Sequence, residues 1–331
     1  MSNETGYLKD VRRLLHHAYS QVRGRYRLRH GGPAAFANGF WYYTVELAPS
    51  VTAQGQYESH FPMLPRMMMR RCNLAGADCL DLGSMEGLVP VLMRRAGARR
   101  VLATDFGPHC VEKILAVKAA YKVDFDYKSV GPMDGLYRKI RGGFDLINCS
   151  GLLYHVWSPL HVLAGVRPLL RRNGLMIVNT NVVLSDGMLA EFNAAGHMQD
   201  EANTFWYPTV ELLQYQLRYL RLQPIDAMAV SHEALRSKIR YKFDTPSSIL
   251  CILCRATDEV AADPWMRESV AKSWEYRSFT DWARADRQPE SPITAENMNP
   301  IELTPGEMAL RQVPGTVCEQ DAHILHLADR S

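Results

Sequence analysis

A glycine turn and an acidic residue in the first half of the chain have the spacing of a nucleoside-binding site. The run Cys79–Leu82 is apolar enough for a buried parallel strand, and Gly83 and Gly87 follow it. Glycine at such a turn lets the backbone approach a ligand closely. Asp105 lies 22 residues beyond Gly83, at the end of the next apolar run. A carboxylate there can accept hydrogen bonds from both hydroxyls of a ribose.

The amino-acid sequence of the turn indicates which kind of nucleoside binds. A dinucleotide site has the pattern G-x-G-x-x-G, which seats a pyrophosphate on a helix N-terminus, whereas this turn reads G-S-M-E-G. Counted from Asp81, the pattern D-x-G-x-x-x-G resembles motif I of the class I S-adenosylmethionine-dependent methyltransferases, whose cofactor carries an amino acid in place of phosphates. Met85 stands where that family usually has its middle glycine.

The resemblance implies the cofactor contacts. Asp81 and Gly83 would lie along the methionine part of S-adenosylmethionine, and Asp105 would bind the ribose. Phe106 could lie flat against adenine, because an aromatic ring beside the ribose acid suits that role. The predicted cofactor-binding residues are Asp81, Gly83, Ser84, Met85, Gly87, Asp105, Phe106, Ser129, Val130, Ser150 and Gly151.

Other residues are candidates for the methyl acceptor. The family implies that Tyr154 and His155 face the acceptor, and His155 is the best candidate for a general base because imidazole titrates near neutral pH. The alternative for His155 is packing at the start of the next helix. Aromatic faces could hold a cationic or sulfonium group, with core packing as the alternative. The predicted acceptor-binding residues are Tyr42, Tyr57, His60 and Trp206.

Further segments narrow the resemblance to one branch of the family, over roughly residues 57–256. That branch contains the tRNA wobble-uridine carboxymethyltransferases and many bacterial small-molecule methyltransferases. The segments that carry it are Leu80–Gly83, Thr104–Asp105, Gly151–His155, Ser158–Leu160 and Phe205–Thr209.

The length, composition and net charge of the chain limit the class of protein. With 331 residues, 47% of them hydrophobic, the chain can bury a full core, and a net charge of +3 does not favour nucleic acid as a partner. Seven scattered cysteines favour a reducing compartment. Cys251 and Cys254 lie in an apolar run that favours a core strand over a metal site. Without an apolar run of membrane-spanning length or a signal peptide, we expect a cytoplasmic protein with no metal, no membrane partner and possible homodimers.

The elements around the turn indicate an α/β fold. Strands alternate with helices five times and a terminal strand pair follows, which predicts a doubly wound, seven-stranded Rossmann-like methyltransferase sheet with an antiparallel edge. The predicted strands are Cys79–Leu82, Val101–Asp105, Val123–Val130, Phe144–Ser150, Leu175–Asn181, Ile225–Val230 and Ser248–Ala256.

Segments on either side complete the predicted organisation. Residues 1–72 form an N-terminal cap, residues 73–256 the cofactor-binding domain with a lid insertion at 185–204, and residues 257–331 a C-terminal extension. Within the cap, residues 6–29 predict an amphipathic helix whose arginines form either a phosphate-binding cluster or a solvated face. The remaining predictions are a strand at Phe40–Leu47, a turn at Pro49–Gln56, a helix at Tyr57–Cys72, a helix opened by Trp206–Thr209 and a basic loop at Arg236–Lys242.

These patterns lead to three hypotheses. The first is methyl transfer from S-adenosylmethionine to the oxygen, nitrogen or thioether sulfur of a small molecule, for example a methionine-derived thioether of dimethylsulfoniopropionate synthesis. The second is a tRNA-modifying (carboxy)methyltransferase, suggested by the arginines before Gly31. The third, suggested by Met85 in the turn, is a non-catalytic module that binds the cofactor.

Overall fold

A seven-stranded sheet forms the centre of the protein. The computed structural model describes residues 2–57, 63–235, 245–260, 263–293, 301–310 and Leu327. The strands of the sheet are β1 (Asp78–Leu82), β2 (Arg100–Asp105), β3 (Asp126–Ser129), β4 (Phe144–Ser150), β5 (Leu170–Val183), β6 (Leu222–Ser231) and β7 (Ser247–Ala256). Their order is β3-β2-β1-β4-β5-β7-β6, and β7 is antiparallel to both of its neighbours. The doubly wound arrangement predicted from the sequence is confirmed.

Helices cover both faces of the sheet. The central strands are buried on both sides, as in β1, where all five residues are buried, whereas the edge strand β3 is partly exposed. The helices are α1 (Ser2–Gly31), α2 (Met63–Met69), α3 (Leu88–Arg95), α4 (Val111–Tyr121), α5 (Pro159–Val166), α6 (Val210–Tyr219), α7 (His232–Leu235), α8 (Pro264–Lys272), α9 (Trp274–Phe279), α10 (Trp282–Asp286) and α11 (Pro305–Leu310). Among the described helices, none is both long enough and apolar enough to cross a membrane.

The two cysteines of the C-x-x-C sequence lie in strand β7. Side chains three residues apart on a strand point to opposite faces. Accordingly, Cys251 belongs to the apolar cluster on one face of the sheet and Cys254 to the cluster on the other. The sheet therefore separates the two thiols, and both serve as core residues.

Four predicted elements differ from the observed ones. The predicted turn at Pro49–Gln56 contains the strand Val51–Ala53, and the strand Gly55–Tyr57 begins in it. These strands pair with Val45–Ala48 and Trp41–Tyr43. Each has only three residues, which is too short for its alternation to be recognised in the sequence. The predicted helix at Tyr57–Cys72 is shortened to α2, and the predicted strand at Val123–Val130 to β3. Trp206–Pro208 forms a strand against Ala190–Phe192, and the predicted helix begins after it as α6, with Thr209 as its N-cap. The basic loop Arg236–Lys242 lies outside the described residues.

The C-terminal helices dock through the buried ring of Tyr276 and the half-buried ring of Trp282. Tyr276 and Trp282 stack at 4.8 Å, and Tyr276 is only 8% exposed. Arg284 adds hydrogen bonds to the carbonyls of Tyr137 and Ile140. By contrast, Trp265 is exposed. The boundaries at residues 72 and 256 remain predictions.

Candidate functional site

A cavity opens at the carboxyl ends of the central strands, where ligands bind in doubly wound sheets. Its volume is about 670 Å³, and a narrow pocket of about 30 Å³ continues from it towards the buried residues Asp81 and Asn148. Gly83, Met85 and Gly151 line both spaces. The predicted site residues that line the cavity are Tyr42, Gly83, Met85, Asp105, Phe106, Ser150, Gly151, Tyr154 and His155, and Asp81 and Ser84 line the narrow pocket.

The turn between β1 and α3 adopts a left-handed backbone at three positions. Gly83 has φ +66° and Gly87 has φ +86°, which glycine tolerates without strain. Met85 has φ +47°, a conformation that costs a residue with a side chain about 1–2 kcal/mol. The Met85 amide donates to Asp105 Oδ2 at 2.9 Å. The methionine therefore preserves a glycine-like turn and ties it to the end of β2.

Asp105 occupies the rim between the turn and the cavity. Its Oδ1 accepts the Phe106 amide at 2.7 Å, so two backbone amides hold the carboxylate. Each ionised oxygen retains capacity for a further donor, such as a ribose hydroxyl. The Phe106 ring is 61% exposed and lines the cavity beside the carboxylate. This pairing of an acid and an exposed ring fits the ribose and adenine of a nucleoside.

Asp105 also belongs to a possible metal-binding group. Asp105, His109 and Cys110 place ligand atoms within 4.8 Å of one another. However, backbone amides already hold both Asp105 oxygens, and burial raises the pKa of the Cys110 thiol well above its usual range. A protonated thiol is a poor ligand, and these features favour the nucleoside over a metal.

Asp81 is a buried carboxylate with one free oxygen. Asn148 donates to Asp81 Oδ1 at 2.7 Å, and Ser150 in turn donates to Asn148 at 2.7 Å. Among the described residues, no donor reaches Asp81 Oδ2. Desolvation raises the pKa of Asp81 to about 7, and the hydrogen bond from Asn148 opposes that shift. A cationic ligand in the narrow pocket would pair with the free oxygen and favour the charged form.

Glu86 joins the turn to the N-terminal strands. Its carboxylate is fully buried and accepts the amides of Tyr42 at 2.6 Å and Tyr43 at 3.2 Å. Lys113 from α4 donates to the same carboxylate at 2.9 Å. Because Tyr42 and Tyr43 line the cavity, Glu86 fixes the backbone of one of its walls. Sequence reasoning missed this residue, although an acidic side chain inside an apolar, glycine-flanked segment is a signal that could have found it.

His155 presents one ring nitrogen that can take up a proton. Its Nδ1 lies 2.9 Å from the carbonyl oxygen of Asn203. A carbonyl only accepts, so Nδ1 carries the hydrogen, and in the neutral ring Nε2 keeps its lone pair. Tyr154 beside it is 2% exposed, and burial raises its pKa well above 10. The tyrosine hydroxyl therefore stays protonated, and His155 is the stronger candidate for a base.

Several predicted residues do not line the cavity. Gly87 packs against the ring of Phe125, while Ser129 and Val130 are buried. Trp206 does not line the cavity; its indole nitrogen donates to the carbonyl of Trp157, which does. The side chain of Tyr57 and all of His60 lie outside the described residues.

Residues that were not predicted from the sequence also line the cavity. They come from loops and from the insertion after β5, which the fold brings to the strand ends. The additional lining residues include Pro132, Met133, Asp134, Trp157, His161, Glu201 and Asn203.

Comparison with known proteins agrees with this geometry. Residues 60–220 match a family model described as a methyltransferase domain. A ubiquinone biosynthesis O-methyltransferase of Xanthomonas campestris pv. campestris (strain B100) is 32% identical over 112 residues, which cover 33% of this chain and 45% of the relative. This chain spans about half the length of the curated relatives it matches.

Solved structures with a similar fold were also found. A 1,6-didemethyltoxoflavin-N1-methyltransferase of Burkholderia thailandensis, crystallised with S-adenosylhomocysteine, has a TM-score of 0.42 at 20% identity, with 60% of this chain and 79% of that chain covered. The N-terminal domain of EvdMO1, also with S-adenosylhomocysteine bound, has a TM-score of 0.48 at 16% identity, with 67% and 94% covered.

Proposed function

Because this chain carries a methyltransferase domain of the class I S-adenosylmethionine-dependent type, we propose that it transfers a methyl group from S-adenosylmethionine to an oxygen or nitrogen of a small molecule. The observation that carries the proposal is the single cavity onto which Asp105, the pocket of Asp81, and His155 all open. Pockets of 300–1,000 Å³ are typical for small ligands. A cavity of about 670 Å³ has room for the cofactor and a small acceptor.

The residues of the cavity fit the three parts of the cofactor. Asp105 would accept the ribose hydroxyls, and the exposed ring of Phe106 would lie against adenine. The free oxygen of Asp81 would receive the ammonium group of the methionine part. Gly83 and Gly151, both with positive φ, carry no side chain and leave room for the sulfur and its chain. Among the other predicted contacts, Gly87, Ser129 and Val130 would act by shaping the backbone.

The chemistry requires little from the protein beyond positioning. The bound cofactor supplies an electrophilic methyl group on a positively charged sulfur. The enzyme would hold the acceptor atom in line with that methyl, because alignment removes most of the entropic barrier. His155 Nε2 would take the proton that an oxygen or nitrogen nucleophile loses. Tyr42, Tyr43 and Tyr154 would hold the acceptor against this edge.

The presence of a candidate general base, His155, favours oxygen or nitrogen over a thioether sulfur as the attacking atom. A thioether loses no proton during methylation, so the unprotonated Nε2 of His155 would have no task there. The relative of Xanthomonas is named an O-methyltransferase, which supports oxygen. For a nucleotide within an RNA chain, a basic rim around the cavity would be expected, and none of the described residues that line the cavity is a lysine or arginine.

Titration of the purified protein with S-adenosylmethionine and S-adenosylhomocysteine tests the proposal. Both should bind, and a labelled methyl group should pass to a small acceptor. Asp105→Ala should weaken cofactor binding at least a hundredfold, because two charge-assisted hydrogen bonds contribute about 1.5–3 kcal/mol each. The exposed Asp126 on the neighbouring strand provides the control, and Asp126→Ala should bind normally. Failure of the parent protein to bind either compound, or equal affinity of the two variants, would refute the cofactor assignment.

A further inference from the structure

Helix α1 carries a row of exposed apolar side chains on its outer face. The residues are spaced by seven, four, three and four positions, which places them along one line of an α-helix. Each is more than half exposed: Leu8 at 57%, Leu15 at 66%, Tyr19 at 62%, Val22 at 69% and Tyr26 at 65%. We call these five residues the apolar stripe.

The opposite face of α1 is the one that packs on the protein. His17 stacks on Tyr127 at the edge of the sheet, with ring centres 5.9 Å apart. Arg27 pairs with Glu112 of α4 at 3.0 Å, and Gly24 is buried against the same helix. The helix is thus anchored through one side. The apolar stripe therefore does not contribute to the core and is free to contact something else.

Cations flank the apolar stripe. Residues 8–31 contain seven lysines and arginines and a single acidic residue, Asp10, which pairs with Arg13 at 3.0 Å. The whole chain has a net charge of only +3, so the positive charge is concentrated on this helix. The exposed cations beside the stripe are Lys9, Arg12, Arg23, Arg25 and Arg29.

We propose that α1 docks the protein onto an anionic lipid surface. The apolar stripe would enter the boundary between headgroups and acyl chains, while the long stems of the flanking arginines let their charges reach the lipid phosphates. The sequence predicted no membrane partner because it contains no apolar run long enough to span a bilayer. A helix that lies on the surface needs none.

Charge and chemistry distinguish this occupant from two others. A second copy of α1 would bring the arginines that flank the two stripes close to one another, and like charges oppose that contact. A nucleic acid would attract the arginines but offers no apolar phase for Leu15 and Val22. An anionic lipid surface supplies both the negative charge and the apolar layer. The inference does not depend on methyl transfer.

Flotation of the full chain with lipid vesicles tests the proposal. The protein should float with vesicles of phosphatidylcholine and phosphatidylglycerol in equal parts and remain behind with phosphatidylcholine alone. Added salt should weaken the binding, because screening shortens the reach of the headgroup charge. The double variant Leu15→Ser and Val22→Ser should lose vesicle binding. Arg12→Gln and Arg25→Gln should each weaken it about fivefold, as expected for one cation near a charged surface.

Controls separate docking from misfolding. Arg277→Gln removes an exposed arginine elsewhere and should bind vesicles like the parent protein. The helix variants should keep the parent's circular dichroism and cofactor affinity, so a folded variant that no longer floats supports the proposal. Three results would overturn it: equal flotation with both vesicle types, self-association that the stripe variants abolish in the absence of vesicle binding, or binding to an RNA duplex without binding to vesicles.

Discussion

The proposed cofactor end and the proposed acceptor end of the cavity are built in different ways. The cofactor end consists of one turn and the tip of the next strand, and backbone amides of Met85 and Phe106 fix its carboxylate. The acceptor end combines Tyr42 from the N-terminal strands, His155 after β4 and Asn203 from the insertion after β5. Local spacing thus defines the first end, and tertiary packing assembles the second.

This contrast suggests that the two ends can be impaired separately. A side chain at the acceptor end acts on a molecule held elsewhere, so its loss should slow the reaction without weakening cofactor binding. A residue that joins the ends should affect both. The predictions below separate these cases.

The largest effect is expected from the candidate base. His155→Gln should lower kcat about a hundredfold to ten-thousandfold, the usual contribution of a positioned general base. The affinity for S-adenosylhomocysteine should not change, because His155 lies at the acceptor end. Steady-state kinetics over a range of pH, combined with calorimetric titration, measures both quantities.

His161 supplies the control for that variant. It also lines the cavity, but its ring packs against Phe279 at 4.0 Å. His161→Gln should change kcat far less than His155→Gln. An unchanged kcat in both variants would instead indicate an acceptor that loses no proton, such as a thioether.

Glu86 is the residue that connects the two ends, and its removal should cost stability. Glu86→Gln removes the buried charged acceptor from Lys113 and from both amides, and the NH2 group of glutamine cannot accept from one of them. A hydrogen bond to a charged group contributes about 1.5–3 kcal/mol, so we expect the free energy of unfolding to fall by about that amount. Urea denaturation measures the change.

A matched variant tests whether burial causes the effect. Glu112 of α4 pairs with Arg23 and Arg27, which are more exposed than the partners of Glu86. Glu112→Gln should lower the free energy of unfolding by less than about 1 kcal/mol. Equal losses in the two variants would show that Glu86 is not a special connection between the ends.

Sequence reasoning succeeded where structure depends on neighbours along the chain. The strands around Leu80, Leu102 and Ile147 follow from apolar runs of the right length, and Gly83 and Asp105 follow from their spacing. It failed at the short strands Val51–Ala53 and Gly55–Tyr57, which pair with Val45–Ala48 and Trp41–Tyr43. Each has only three residues, too few to show the period-two alternation that marks a strand in a sequence.

In the candidate site, two contacts join residues that are far apart in the sequence. Asn203 orients His155 from 48 residues away, and Glu86 fixes the backbone of Tyr42 from 44 residues away. The sequence indicates neither partner, although the glycine-flanked apolar segment around Glu86 marks that residue itself. Composition identified these residues as polar, but only the folded chain shows which polar groups they meet.

The charge on Asp81 should make cofactor binding dependent on pH. Desolvation raises the pKa of Asp81 to about 7 in the free protein, so its carboxyl binds a proton as the pH falls through that value. The neutral form cannot pair with the ammonium group of the cofactor. Affinity should therefore fall about tenfold for each pH unit below 7 and level off above it. Calorimetric titration of S-adenosylhomocysteine across this range measures the dependence.

Asp81→Asn provides the comparison for that pH profile. The amide cannot ionise, so the variant should bind weakly and without this pH dependence. Since the folded pKa lies above the ordinary value of 3.8, folding favours the neutral form, and the free energy of unfolding declines as pH rises from 3.8 to about 7. The variant should lack that decline. An identical pH profile in both proteins would place the ammonium group elsewhere.

The smallest effect concerns the unusual residue of the cofactor turn. Met85→Gly removes left-handed strain of about 1 kcal/mol. It also removes a side chain that packs partly against the core and reaches Cys110 Sγ at 4.0 Å. These two terms have opposite signs, so the free energy of unfolding should change by less than about 1 kcal/mol. The affinity for S-adenosylhomocysteine should change little, because the backbone amide at position 85 remains and can still donate to Asp105.

Lys122 isolates the backbone contribution to that balance. It has a similar left-handed φ of +53° at the end of α4, but its side chain is exposed. Lys122→Gly should therefore stabilise the protein by up to about 1 kcal/mol, with no packing to lose. Subtracting this change from that of Met85→Gly gives the packing contribution of the methionine. If Met85→Gly stabilises the protein as much as Lys122→Gly, the methionine side chain contributes nothing to folding. Contact with the ligand would then explain why methionine occupies this position in the turn.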